Sequence, residues 1–93
     1  MAQRDRSLQE TTTSMTPAEI IASAKRFFAV ENTSYAAYPE QEGPGYLTLR
    51  GQGGEEVVVS VASAEHGTRV TGSSYLFDQQ VARFLSTLPP VAA

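Results

Sequence analysis

The sequence predicts an α+β domain of two layers, an antiparallel sheet of three or four strands with two helices packed on one face, in the order α-(β)-β-β-β-α. Three observations predict it. Two segments, near 16–28 and 74–88, repeat apolar residues at helical spacing. Between them, three runs alternate apolar and polar residues with the period of a strand. Those runs are parted by glycine-containing turns rather than by helices.

At 93 residues and 41% hydrophobic, the chain fits one domain able to bury a core without metal or disulfide support. The predicted division is a flexible polar arm over 1–15, an α+β domain over 16–89 and a short tail over 90–93. The arm, "MAQRDRSLQETTTS", has Leu8 as its one leucine and no periodicity. It offers too little apolar surface to offset the entropy of its own ordering. On this reading it is a docking arm that uses Arg4, Arg6 and Leu8, and its removal leaves the melting temperature of the domain nearly unchanged. It also lacks the apolar stretch of a secretory signal, and no window nears the ~20 apolar residues of a membrane span, so a cytoplasmic location is expected.

Order begins at Thr16. Pro17 follows it and Glu19 stands three residues on, the pattern of a capping box with proline at the first helical position. Met15 before the cap and Ile20 within the first turn form a hydrophobic staple. Ile20, Ile21, Ala24, Phe27 and Phe28 make one apolar stripe. With two cations, Lys25 and Arg26, the opposite side is too weakly basic for a membrane-surface helix, so the stripe reads as core.

The middle segment, "ENTSYAAYPEQEGPGY", reads as an exit loop with a short edge strand at 34–38 that Pro39 stops. Glu40 and Glu42 fall in a turn rich in Pro and Gly. Their spacing lacks the dense acidic pattern of a calcium loop. Strands follow at 46–50, 56–62 and 68–73. Alternation places Leu47, Leu49, Val57, Val59, Val61 and Val70 on the face toward the helices. Tyr46, Thr48, Arg50, Glu56, Val58, Ser60, Arg69, Thr71 and Ser73 then face the other way. For Leu49 to oppose Val57 or Glu55, the first hairpin needs a loop of three or five residues, with its glycines at positive φ. Gly67 marks the second turn as a left-handed or bulged position.

The closing element carries Phe77, Val81, Phe84, Leu85 and Leu88 on one helical stripe. Ser73 or Ser74 is the expected cap and Pro89-Pro90 the terminator. Phe84 is expected to pack between this helix and the sheet, near Phe28.

Chemistry finds few residues to draw on. Gly51 and Gly53 begin a G-x-G pattern, but Glu56 occupies the third glycine's place, and carboxylates and strand formers follow where a phosphate site needs a helix. There is no Cys, which excludes disulfides, thiolate metal sites and cysteine nucleophiles. The one histidine, His66, sits in a turn beside Glu65, without a rigid partner for Ser60 or Ser63. Glu55 and Glu56 are adjacent on a strand and point to opposite faces, so they cannot share a substrate. No catalytic residue, cofactor or metal is predicted. With seven Lys and Arg against ten Asp and Glu and no cationic patch, nucleic acid is not an expected partner. No residue motif marks a family.

The expected function is therefore that of a small non-catalytic interaction or assembly subunit. It docks on a protein partner, or self-associates, through the outer sheet face and the arm, with Tyr46, Arg50, Val58, Arg69, Arg4, Arg6 and Leu8 as the contact residues. Tyr and Arg are the types enriched at interface centres, and this face carries both. One alternative is a small-molecule binding module with a pocket between helices and sheet. A second is a peripheral accessory subunit on the soluble face of a larger complex, membrane-bound or not.

Overall fold

The computed structural model describes residues 7–31 and 36–91. Its elements are β1 (Ser7–Thr13), α1 (Pro17–Arg26) running on into a π-helical turn (Phe27–Glu31), β2 (Ala37–Gly43), β3 (Tyr46–Gly51), β4 (Glu56–Ala64), β5 (Gly67–Ser74) and α2 (Asp78–Ser86). The strands form one antiparallel sheet in the spatial order β1-β5-β4-β3-β2. The α+β class stands. The sheet has five strands rather than three or four, and a strand precedes the first helix.

Thr16 caps α1 as predicted. Its hydroxyl accepts from the Glu19 N–H at 3.2 Å, and the Glu19 carboxylate accepts from the Thr16 N–H at 2.9 Å. Ile20, Ile21 and Ala24 face the sheet and are buried. The widened turn that follows carries two adjacent aromatic rings, Phe27 and Phe28, into the core together. They meet edge to face at 5.1 Å, and each lies 5.6 Å from Phe84 of α2. These three rings join the two helices over the inner face of the sheet, where Leu47, Leu49, Val57, Val59 and Val70 are buried and Val61 is half-buried. Each such side chain contributes roughly 1.5–3 kcal/mol by leaving water.

The polar segment expected to be a flexible arm is instead an edge strand over Ser7–Thr13. Its stabilisation comes from hydrogen bonds rather than from apolar burial. One face pairs with β5 along the whole strand. On the inner side, the Ser7 hydroxyl donates to Asp78 Oδ1 at 2.9 Å, Gln9 Nε2 donates to the Asp78 carbonyl at 3.0 Å, and the Thr13 hydroxyl donates to the Pro89 carbonyl at 2.6 Å. The strand is thus stapled to α2 and to the segment after it. Arg4 and Arg6, the basic residues assigned to the arm, lie outside the described residues.

Other boundaries also move. The short edge strand stopped by Pro39 is a longer one, β2, that contains it; residues 34 and 35 of the predicted strand lie outside the described residues. Proline is tolerated because of its place in the ladder. The Gly51 N–H donates to the Glu55 carbonyl at 2.7 Å and the Val61 N–H to the Gly45 carbonyl at 2.9 Å, so the odd residues of β4 turn their backbone groups toward β3. Alternation carries that pattern across the sheet. Leu49, the partner of Pro39, faces β4, and the missing N–H of Pro39 therefore points to the free edge. At the opposite edge the odd residues of β1 bond β5, and the backbone groups of Leu8, Glu10 and Thr12 point outward.

The first hairpin has the predicted parity. Leu49 opposes Val57, and Gly51 to Glu55 form the five-residue connection beyond the Arg50–Glu56 pair. Of its glycines, however, Gly54 alone has positive φ, at 92°. Gly67 has φ of 132°. Ser73 and Ser74 finish β5 instead of capping α2, whose N-cap is Phe77 with no side-chain cap. The helix starts later than its stripe suggests because β5 claims both serines for pairing with β1 and β4. Gly72 on β5 has a packing role. A Cβ there would lie 2.5 Å from Val81 Cγ1, so the bare backbone is what lets α2 lie close on the sheet.

Candidate functional site

The helices cover one face of the sheet, which leaves the residues of the other face to define its surface. Register aligns them in rows. Leu8, Ser73, Val58, Thr48 and Gln41 form one row across all five strands. Glu10, Thr71, Ser60, Tyr46 and Gly43 form the next. Arg69, flanked by Thr12 and Ala62, lies below them, and Arg50, flanked by Glu56 and Tyr38, lies above. The structure thus brings Tyr46, Arg50, Val58 and Arg69 together on one face, as alternation predicts, and adds Leu8 from β1.

The charges at both ends of this face are matched within it. Arg50 Nη2 lies 2.8 Å from Glu40 Oε1 and 3.9 Å from Glu56 Oε2. Its Nη1 donates to the Gly54 carbonyl at 3.1 Å. The hydrogen bond to Glu40 and the charge of that carboxylate hold the guanidinium above its ordinary value, with a smaller contribution from Glu56. The cross-strand neighbour Glu56 is therefore the longer of the two contacts, because the bulge at Glu40 swings that residue onto the arginine. At the other end Arg69 Nε lies 3.3 Å from Glu10 Oε2. Exposed pairs of this kind add little stability. Their consequence here is electrostatic: the row of Leu8, Ser73, Val58, Thr48 and Gln41 is uncharged, and the next row, rich in hydroxyl groups, carries Glu10 as its one charge, beside Arg69; Leu8 is 69% and Tyr38 48% exposed.

One residue of this surface had no signal in the sequence. Leu76, in the connection from β5 to α2, has φ of 65° and is 68% exposed. A leucine in the left-handed region costs of order 1–2 kcal/mol, and an exposed one recovers little of it by burial. The run S-S-Y-L-F reads as the approach to a helix and hides this. Leu76 borders a groove of about 380 Å³ shared with Arg50, Gly53, Gly54, Glu56 and Tyr75, so the outer face continues over the end of the sheet to this side chain.

The remaining candidates are placed apart from it. His66 is exposed in the turn between β4 and β5, Ser60 lies on the outer face and Ser63 is exposed farther along β4. Glu55 accepts from the Gly53 N–H at 3.0 Å within its own hairpin. Among the described residues, no group of three or more His, Cys, Asp and Glu side chains could hold a metal ion. Between sheet and helices lie the buried side chains of Phe27, Phe28, Phe77 and Phe84 with those of Leu47, Leu49, Val57, Val59 and Val70. A surface groove of about 530 Å³ runs between Pro17, Ile21 and Ala22 of α1 and the turn at Gly43 and Pro44, with the Lys25–Glu42 ion pair at 2.6 Å on its rim. Among the described residues no helix is long and apolar enough to cross a membrane. No family model, curated protein or solved structure matches the chain.

Proposed function

We propose that the chain is a small non-catalytic docking subunit that binds a protein partner on the outer face of its sheet. The observation that supports this reading is the electrostatic closure of that face: Arg50 is bound to Glu40, and Arg69 lies beside Glu10. A partner laid across the middle rows has no unpaired charge to desolvate, which is the usual penalty of covering a polar surface. It meets instead Leu8, Val58, Tyr46 and Tyr38, with aromatic rings and aliphatic groups among small hydroxyl side chains. Such a composition suits a flat contact with few ordered long side chains to immobilise.

Site-specific photocrosslinking in the native cell tests this reading. A photoreactive side chain at Thr48, inside the face, should give one discrete covalent adduct. The same group at Ala82, exposed on α2, should not. Equal adducts from both positions, or none from Thr48, would contradict the assignment.

A further inference from the structure

The two edges of the sheet are built differently. β2 contains Pro39, a register break at Glu40, and the exposed carboxylates of Glu40 and Glu42. All of these discourage a further strand from adding on. β1 has neither a proline nor a register break, and its one exposed carboxylate, Glu10, has Arg69 beside it. Its seven residues pair with β5 in unbroken register, and Leu8, Glu10 and Thr12 turn their backbone N–H and C=O groups away from β5, where no strand among the described residues pairs with them.

We propose that β1 pairs with β1 of a second copy of this chain, antiparallel about a two-fold axis through Glu10, so that two sheets join into one. The guarded β2 edge argues for this occupant. Pairing of β1 with β2 of another copy would run on as an open filament, and the proline and bulge oppose it; pairing of β1 with itself closes. Charge permits the contact: the two opposed Glu10 carboxylates repel, but each has an arginine beside it to offset this. Glu10 is the one charged residue of the strand, and it lies 3.3 Å from Arg69 of β5. A second copy sets two carboxylates side by side between two guanidinium groups, so each copy brings the counter-charge that the contact needs.

The register follows from the backbone. Outward-facing residues must oppose outward-facing residues, because these exchange the hydrogen bonds of an antiparallel pair. Centring the axis on Glu10 opposes Leu8 to Thr12, Glu10 to Glu10 and Thr12 to Leu8, three pairs with two bonds each, or about six bonds. Moving the centre to Gln9 or Thr11 leaves two pairs. The Glu10 register also packs the exposed Leu8 side chain on the methyl group of Thr12.

This contact does not depend on the outer face being a docking surface, and its test separates the two. The chain has no cysteine, so an introduced one reports cleanly. In this register two copies of Glu10→Cys place their Cα atoms about 5.5 Å apart, within disulfide range. Mild oxidation should give a covalent dimer far faster than for Gln41→Cys on the β2 edge. Sedimentation of the unmodified protein should show a mass rising with concentration from 10.0 kDa toward twice that value. Leu8→Lys/Thr12→Lys should remain monomeric, and mixing it with Leu8→Glu/Thr12→Glu should restore a mixed dimer. A monomer at millimolar concentration, or Glu10→Cys crosslinking no faster than Gln41→Cys, would overturn the proposal. Should the lysine variant fail to fold, the two cysteine variants decide. Val58→Asp should leave the dimer intact; loss of the dimer in that variant would assign self-association to the outer face and refute the edge contact.

Discussion

Phe84 is 1% exposed and touches the rings of both Phe27 and Phe28, so it stands where the two helices and the sheet meet. Truncation there removes buried contacts on three sides. Phe84→Ala should cost ~3–5 kcal/mol, a large part of the ~5–15 kcal/mol that a domain of this size possesses. Chemical denaturation read by circular dichroism measures it. Ser74 is the opposite case. Its hydroxyl is buried on the inner face of β5 and has no hydrogen-bond partner among the described residues. Ser74→Ala nearly keeps the volume and removes the unpaired group, so the unfolding free energy should rise by ~1 kcal/mol. A fall would indicate a partner for this hydroxyl in solution. Both the Phe84 contact and the burial of the valines are legible in the sequence, because apolar periodicity records burial directly. The state of Ser74 is not, since a serine at a strand end reads equally well as a helix cap.

At the scale of elements, the same distinction explains β1. A composition-based reading counts apolar residues, and "SLQETTT" has one. What orders the segment is a neighbour: β5 offers its backbone edge, and Asp78 and Pro89 offer acceptors for Ser7, Gln9 and Thr13. These partners lie more than sixty residues away in the chain, where local pattern carries no information about them. The removal of residues 2–13, harmless for a flexible arm, should therefore bare β5 and loosen α2. A loss of ~2 kcal/mol or more corresponds to a fall of ~10 °C or more in melting temperature. An unchanged melt would return the segment to the status of an arm. β2 and α2 differ from expectation for related reasons. Pro39 ends a strand only where its N–H is needed, and here the N–H would face the free edge. The cap of α2 was misplaced because the serines before it belong to a longer β5. By contrast, the capping box of α1 and the parity of the first hairpin are local features, and both stand as read.

Over the whole molecule, one sheet divides the chain into a covered side and an open side. Alternation in the sequence suffices to assign Tyr46, Arg50, Val58 and Arg69 to the open side. It could not reveal that Glu40 and Glu10 neutralise the two arginines, since both acids come from strands at the sheet margins that local pattern does not register. Nor could it reveal Leu76, whose exposure depends on the left-handed turn into α2. The two contacts proposed on this architecture, a partner on the open face and a second copy along β1, draw on different atoms. The measurement that bears most directly on the docking role is Val58→Asp, made in the chain with the photoreactive group at Thr48 and read by adduct formation and by thermal melting together. Val58 is half-buried on the open face and is not a member of the core cluster. The new carboxylate should abolish the adduct while the melting temperature stays within a few degrees of the parent chain. An undiminished adduct in this variant would contradict docking on the open face.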